Sequence, residues 1–243
     1  MLDFIQERII KVSQGLLPNI MVATPVRKKS VTPLQDLNSP GKHVLFPPGL
    51  RLENVIIPGL EVDEARNKAF ELFIQSGADF LFFLDDDVCL PAEGLLNLYY
   101  RLLDVVSKKG PLSAISGYYM LKSELMPQPV FQNIKNRKLE TLQAEDSALI
   151  KCNWLMSMGC CLMTRELVKS VMDYSRQKGQ KSFLTSEHEE KVIAEDIYFF
   201  QKALYLDANL YTDPMTPCLH YCRERKKIFY PYNFQNYEYR YST

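Results

Sequence analysis

Three consecutive carboxylates, Asp85-Asp86-Asp87, follow directly on the apolar run Phe80-Leu81-Phe82-Phe83-Leu84. Five apolar residues without a polar break describe a strand buried on both faces. The end of such a strand is an unfavourable place for three like charges, which repel and shift one another's pKa values unless a cation sits among them. A divalent metal is the simplest such cation. Hard oxygen ligands suit Mg²⁺ or Mn²⁺, ions that usually hold a phosphate-bearing substrate as well. The competing reading is a solvated turn or the cap of the next helix. Position favours a ligand, because α/β folds collect their ligands at the carboxyl ends of strands. A second cluster, Cys218 and Cys222 around His220, has half of a zinc site's donors. No second Cys/His pair at finger spacing accompanies it, so it reads as buried thiols.

The elements that must carry these residues can be traced from the start of the chain. Met1 to Pro18 has the pattern of an amphipathic helix. Asn19 to Pro25 reads as a buried strand leading into the basic cluster Arg27, Lys28 and Lys29, and residues 30–50 form a long proline-bearing excursion. A second strand runs from Leu52 to Ile57. Asp63 is positioned to cap a helix over 64–76 that stops at Gly77. Strand, strand, helix and the run from Phe80 make the alternation of a mostly parallel sheet with crossover helices. Further on, the pattern predicts a helix over 92–107, a strand over 112–119, and an apolar stretch over 151–163 broken by Gly159. A helix from Thr164 to Tyr174 follows, then a mobile loop over 177–190, a helix over 194–205 and a strand near 209–212. No structure is assigned to 123–146. The expectation is a single α/β, Rossmann-like domain over 1–222, with a mostly parallel central sheet flanked by helices. Residues 223–243 form a tail, basic at first and then rich in tyrosine.

Composition bounds the function. The 243 residues are 47% hydrophobic and 24% charged, which is ordinary globular usage. With 29 basic and 29 acidic residues there is no global field to attract nucleic acid, so an anionic ligand needs a local site. No stretch has the length of a membrane span or the apolar core of a signal peptide. The default reading is a cytoplasmic protein, with peripheral contact at the cytosolic membrane face as an option, whose six cysteines are reduced.

Several motifs in order resemble the GT-A class of nucleotide-sugar-dependent glycosyltransferases, family-2-like members in particular. Ala65-Arg66-Asn67 at a helix start and the run from Gly77 into Asp85-Asp86-Asp87 are similar to the segment leading into that family's Asp-x-Asp motif. Met158 to Arg165 resembles its glycine-bearing pocket strand, Glu195-Asp196 its acidic pair, and His220 its late metal-binding histidine. The likeness spans roughly residues 19–222 and implies a GT-A fold. It implies Mn²⁺ or Mg²⁺ held by Asp85, Asp87 and His220, and a UDP- or GDP-sugar donor contacted by Thr24, Pro25, Arg27, Arg66, Asn67, Asp86 and Gly159. Asp196, with Glu195 beside it, would be the general base of an inverting transfer to a glycan, lipid or protein hydroxyl. The basic stretch from Arg223 to Lys227 would add phosphate donors.

Two other classes fit parts of the pattern. Leu84 to Val88 also satisfies the Asp-x-Asp-x-Val nucleophile motif of haloacid-dehalogenase-like phosphatases, although that strand normally comes first in the chain. A GT-A-like module that binds a nucleotide or glycan without turnover is the non-enzymatic alternative.

Overall fold

The run Phe80–Leu84 is a strand, and its side chains alternate between two cores: Leu81 and Phe83 face one, Phe82 and Leu84 the other. This computed structural model describes residues 18–26, 50–123, 128–135, 138–140, 146–188 and 191–231. The helix expected at the start, Arg27 with the excursion over 30–49, and the end of the chain lie outside the described residues.

In chain order the elements are β1 (Asn19–Val26), β2 (Arg51–Pro58), α1 (Val62–Ser76), β3 (Phe80–Leu84), β4 (Val88–Cys89), α2 (Gly94–Lys109) and β5 (Ser113–Tyr118). There follow β6 (Asn133–Lys135), β7 (Lys138–Glu140), β8 (Ile150–Lys151), β9 (Cys160–Thr164) and α3 (Arg165–Gln177). The last are β10 (Ser186–His188), β11 (Lys191–Ile193), α4 (Glu195–Tyr205), β12 (Asn209–Pro217), β13 (Leu219–Cys222) and β14 (Lys227–Phe229).

Seven strands form the central sheet in the order β2-β1-β3-β9-β5-β12-β8. β2, β1, β3, β5 and β12 run in one direction, while β9 and β8 run against them. The sheet is therefore mixed, with the parallel direction predominating. α1, α3 and α4 cover one face through Phe70, Phe73, Val168, Val171, Phe199 and Phe200. α2 covers the other through Leu95, Leu98, Tyr99 and Leu102. Each such side chain contributes roughly 1.5–3 kcal/mol by leaving water, so the helices are held by their apolar faces rather than by their ends.

The ends nevertheless explain where α1 and α3 stop and start. Gly77, with φ 74, closes α1 in the left-handed conformation that favours glycine. Thr164 opens α3 by accepting a hydrogen bond from the Leu167 N–H. Asp63 does not cap α1 as expected: the helix begins at Val62, and the Asp63 carboxylate accepts from the Thr185 N–H instead, at 3.4 Å. The loop expected over 177–190 is also tied down in its described part, 177–188. Phe183 is fully buried against Phe70 and Phe199, and the segment continues into β10, which pairs with β11. The stretch from Arg223, read as a tail, turns back so that β14 pairs with β13 and Phe229 is buried.

Candidate functional site

β3 delivers Asp85, Asp86 and Asp87 to the carboxyl edge of the sheet. The pairing of β1 with β3 ends where Ala23 faces Phe83, so Thr24 and Pro25 lie just beyond it at that same edge. The pleat and the buried run account for the position of all three carboxylates; what surrounds them comes from elsewhere in the chain.

Each carboxylate has its own cation. Arg66, near the start of α1 and 2% exposed, donates from Nη2 to Asp85 Oδ2 at 2.9 Å and from Nε to Glu195 Oε1 at 3.0 Å. Its guanidinium carbon lies 5.0 Å from the centre of the Phe83 ring. Asp86 Oδ2 accepts from Arg223 Nη2, and Asp87 Oδ2 accepts from Lys122 Nζ. The repulsion that suggests a metal is thus offset by three basic side chains of the protein itself. Burial still pushes Asp86 up to about 6, against the pull of Arg223. Burial likewise raises Asp85, opposed by Arg66 and reinforced by Asp87 and Glu195.

The ligand set expected from Asp85, Asp87 and His220 is not gathered. Among the described residues no three or more His, Cys, Asp or Glu side chains come together as a metal-holding group. Arg66 holds Asp85 Oδ2 in the ion pair instead. Asp87 and His220 do meet, because β13 runs antiparallel to β4 with His220 opposite Val88, and the Tyr221 N–H donates to the Asp87 carbonyl at 2.7 Å. His220 Nε2 stands 3.7 Å from Asp87 Oδ1. Its Nδ1 is 2.7 Å from the Met120 carbonyl, which assigns the proton to Nδ1 and leaves the Nε2 lone pair facing Asp87. Burial pushes the imidazole down to about 4, outweighing the upward pull of Asp87, so the ring is neutral at pH 7 and the contact is not a salt bridge. A neutral imidazole nitrogen and a carboxylate oxygen make a two-residue seat, which fits Mg²⁺ or Mn²⁺ when water and phosphate oxygens supply the rest.

Glu195 and Asp196 open α4, whose cap residue Ala194 offers no side-chain hydrogen bond. Arg66 takes Glu195. Asp196 Oδ1 accepts from the Ile197 N–H at 2.7 Å. Burial first, and then the charge of Glu195, push the Asp196 carboxyl up to about 6, with Arg66 opposing and Asp85 adding to the rise. The two acidic groups, distant in sequence, therefore sense one another around a single guanidinium.

Gly159 is required by close approach. A Cβ there would meet Asp85 Oδ2 at 2.5 Å and Tyr119 Oη at 2.9 Å. Its carbonyl accepts from the Asp85 N–H at 3.0 Å, and its N–H donates to Tyr119 Oη at 3.2 Å. Asn67 has a different role from the one its neighbourhood suggests. Its amide donates to the carbonyls of Asp63 and Phe183 and accepts from the N–H groups of Ser182 and Phe183, which leaves no donor for a ligand.

No family model matches this chain, and no curated protein matches its sequence. Solved structures do match it. Among 165 matching chains, A197 from STIV aligns with a TM-score of 0.57 at 19% identity, over 87% of this chain and 93% of its own. The fold is shared. At that identity the likeness reaches no further, and the chemistry has to be argued from this chain's own residues.

Two residues at this edge escape sequence reasoning. Tyr119 and Lys122 follow β5, a central strand whose carboxyl end opens on the same edge as β3. The Tyr119 ring packs 4.5 Å from the His220 ring, and burial raises its phenol well above the usual range. Their position after a central strand is the signal that could have found them. One further feature points to a ligand: Asp85 Oδ1 and Arg66 Nη1 are buried without hydrogen-bond partners among the described residues. An unmet buried polar atom costs about 1–3 kcal/mol, and here an acceptor and a donor are unmet within one ion pair.

Proposed function

We propose that this chain is a GT-A glycosyltransferase that moves a sugar from a nucleoside-diphosphate donor to an acceptor hydroxyl, with inversion. The observation that carries the reading is the Arg66 bridge between Asp85 and Glu195. It ties the strand end that carries Asp87, 3.7 Å from His220, to the helix start that carries Asp196, whose carboxyl is raised to about 6.

Asp87 and His220 would hold Mn²⁺ or Mg²⁺, which when bound offsets the charge developing on the leaving diphosphate. Asp196, its carboxyl raised to about 6, is the base in its ionised form: Oδ2 receives the acceptor hydroxyl's proton as that oxygen attacks the anomeric carbon and the bond to the leaving diphosphate breaks. Glu195 is a positioning residue, fixed by Arg66. The unmet pair Asp85 Oδ1 and Arg66 Nη1 suits a sugar hydroxyl, which donates to the first and accepts from the second. Thr24, Pro25 and Asp86 border the donor, and the backbone at Gly159 lets it approach Asp85. UDP- and GDP-sugars are the donors to try, with glycan, lipid and protein acceptors.

The test is a thermal-shift series with UDP- and GDP-sugars, each with Mn²⁺ and with chelator. A nucleotide-selective rise that needs Mn²⁺ and is absent in Asp87→Ala is expected. No shift with any donor would remove the reading. The phosphatase alternative has less support, because its nucleophile would be Asp85, which is already ion-paired to a buried arginine. Phosphate release from a phosphomonoester would revive it.

A further inference from the structure

Lys122, the cation on Asp87 beside His220, takes no part in the proposed transfer. Its ammonium donates to Asp87 Oδ2 while His220 Nε2 stands opposite Oδ1 of the same carboxylate. Lys122 thus occupies one side of the carboxylate that Mn²⁺ or Mg²⁺ would use. Backbone hydrogen bonds hold the segment that carries it. The Val130 N–H donates to the Tyr119 carbonyl, Met120 bridges to Pro129, and the Leu121 N–H donates to the Gln128 carbonyl. This one segment packs the Tyr119 ring against His220, fixes the His220 tautomer through the Met120 carbonyl and sets Lys122 on Asp87.

An ammonium and a divalent ion repel at this range, so they compete for Asp87. Lys122 has a flexible four-carbon stem and keeps 28% of its side chain exposed, which lets the head group leave. Once released, it needs another anion within reach. Under the reading proposed above, on which this inference rests, the donor's diphosphate supplies one.

We propose that Lys122 is the resident counter-ion of Asp87 and that, when Asp87 turns to a divalent ion, Lys122 transfers to the diphosphate of the donor. Two consequences follow for binding. Without nucleotide, Lys122 competes with the metal and weakens it. With nucleotide, Lys122 gains a partner, so metal and diphosphate each strengthen the other's binding, as linkage requires.

The experiment measures Mn²⁺ binding by electron paramagnetic resonance and nucleoside diphosphate binding by calorimetry, with UDP and GDP as probes. Wild type is compared with Lys122→Met and Lys122→Arg, and all three are checked for folding by thermal unfolding. Lys122→Met is expected to bind Mn²⁺ alone more tightly, by roughly threefold to tenfold, and to bind the diphosphate in the presence of Mn²⁺ more weakly by a similar factor. Lys122→Arg, which keeps the charge, should retain the diphosphate affinity. Unchanged or weaker Mn²⁺ binding in Lys122→Met overturns the counter-ion role, and unchanged diphosphate binding overturns the transfer. Wild type that binds Mn²⁺ but neither UDP nor GDP would sink the glycosyltransferase reading and the transfer to diphosphate with it. The counter-ion role would still stand or fall on Mn²⁺ alone.

Discussion

Two layers of charge meet at the end of β3, and the cations that hold them differ. The inner cation, Arg66, keeps 3% of its side chain exposed, whereas Lys122 and Arg223 in the outer layer each keep 28%. The inner layer joins β3 to α1 and α4, elements locked by their packing on the sheet. The outer layer joins the acidic run to the segments that follow β5 and β13. A buried charge left without its partner is expensive, while a half-exposed one recovers most of its solvation from water. One run of three aspartates thus meets two kinds of cation: Asp85 a buried arginine, and Asp86 and Asp87 side chains that keep contact with water, of which Lys122 is the one proposed to exchange.

The largest effect expected from this contrast belongs to Arg66→Met. It leaves the buried Glu195 and the partly buried Asp85 with no counter-charge, so unfolding in urea should show a loss of about 3–5 kcal/mol. A loss below about 1 kcal/mol would erase the distinction between the layers.

Next comes Asp196→Asn, which leaves the ion pairs intact and removes the proposed base. Transfer should fall about 10²–10⁴-fold. The pH dependence follows from the carboxyl's rise from 3.8 to about 6. Since the ionised form is the base, the wild-type rate falls as pH drops through about 6, and this limb should vanish in Asp196→Asn. Asp86 is also raised to about 6, so Asp86→Asn is the control that should keep the limb. For stability the sign is the reverse. A raised folded pKa contributes stability that is complete below 3.8 and lost as pH rises through about 6, so wild type should lose stability relative to Asp196→Asn across that window. A limb that persists in Asp196→Asn would assign the base elsewhere.

Much of the inner layer can be read from sequence, and little of the outer. The uninterrupted apolar run of β3 and the amphipathic patterns of α1, α2 and α4 mark these elements directly, and the acidic residues stand out at their ends. Strand direction is less visible. An apolar stretch such as Cys160–Thr164 reads the same either way, and only the fold shows that it runs antiparallel between β3 and β5. Phe183 is one aromatic in a polar stretch, without periodicity, so the anchoring of 177–188 could not be foreseen. The same holds for the cations. An ion pair such as Lys122 with Asp87 joins residues from different strand ends, and nothing local in the chain records it. The sequence displays the three carboxylates and Arg66, but not that Arg66 pairs with Asp85 and Glu195.

The smallest effect should come from Arg223→Ala. The substitution removes the cation from Asp86, yet the arginine side chain is 28% exposed, and partly exposed pairs contribute about 1 kcal/mol or less. The Asp86 carboxyl should rise above about 6, because burial raises it and Arg223 is the strongest influence holding it down. Diphosphate binding should weaken only a few-fold if Arg223 is one of several phosphate donors. Urea unfolding and calorimetry with UDP or GDP, run beside Arg66→Met, measure both. A stability loss close to that of Arg66→Met would mean that Asp86 depends on its arginine as Asp85 does. Exposure of the cation would then not be what separates a fastening charge from an exchangeable one, and the case for Lys122 leaving Asp87 would weaken with it.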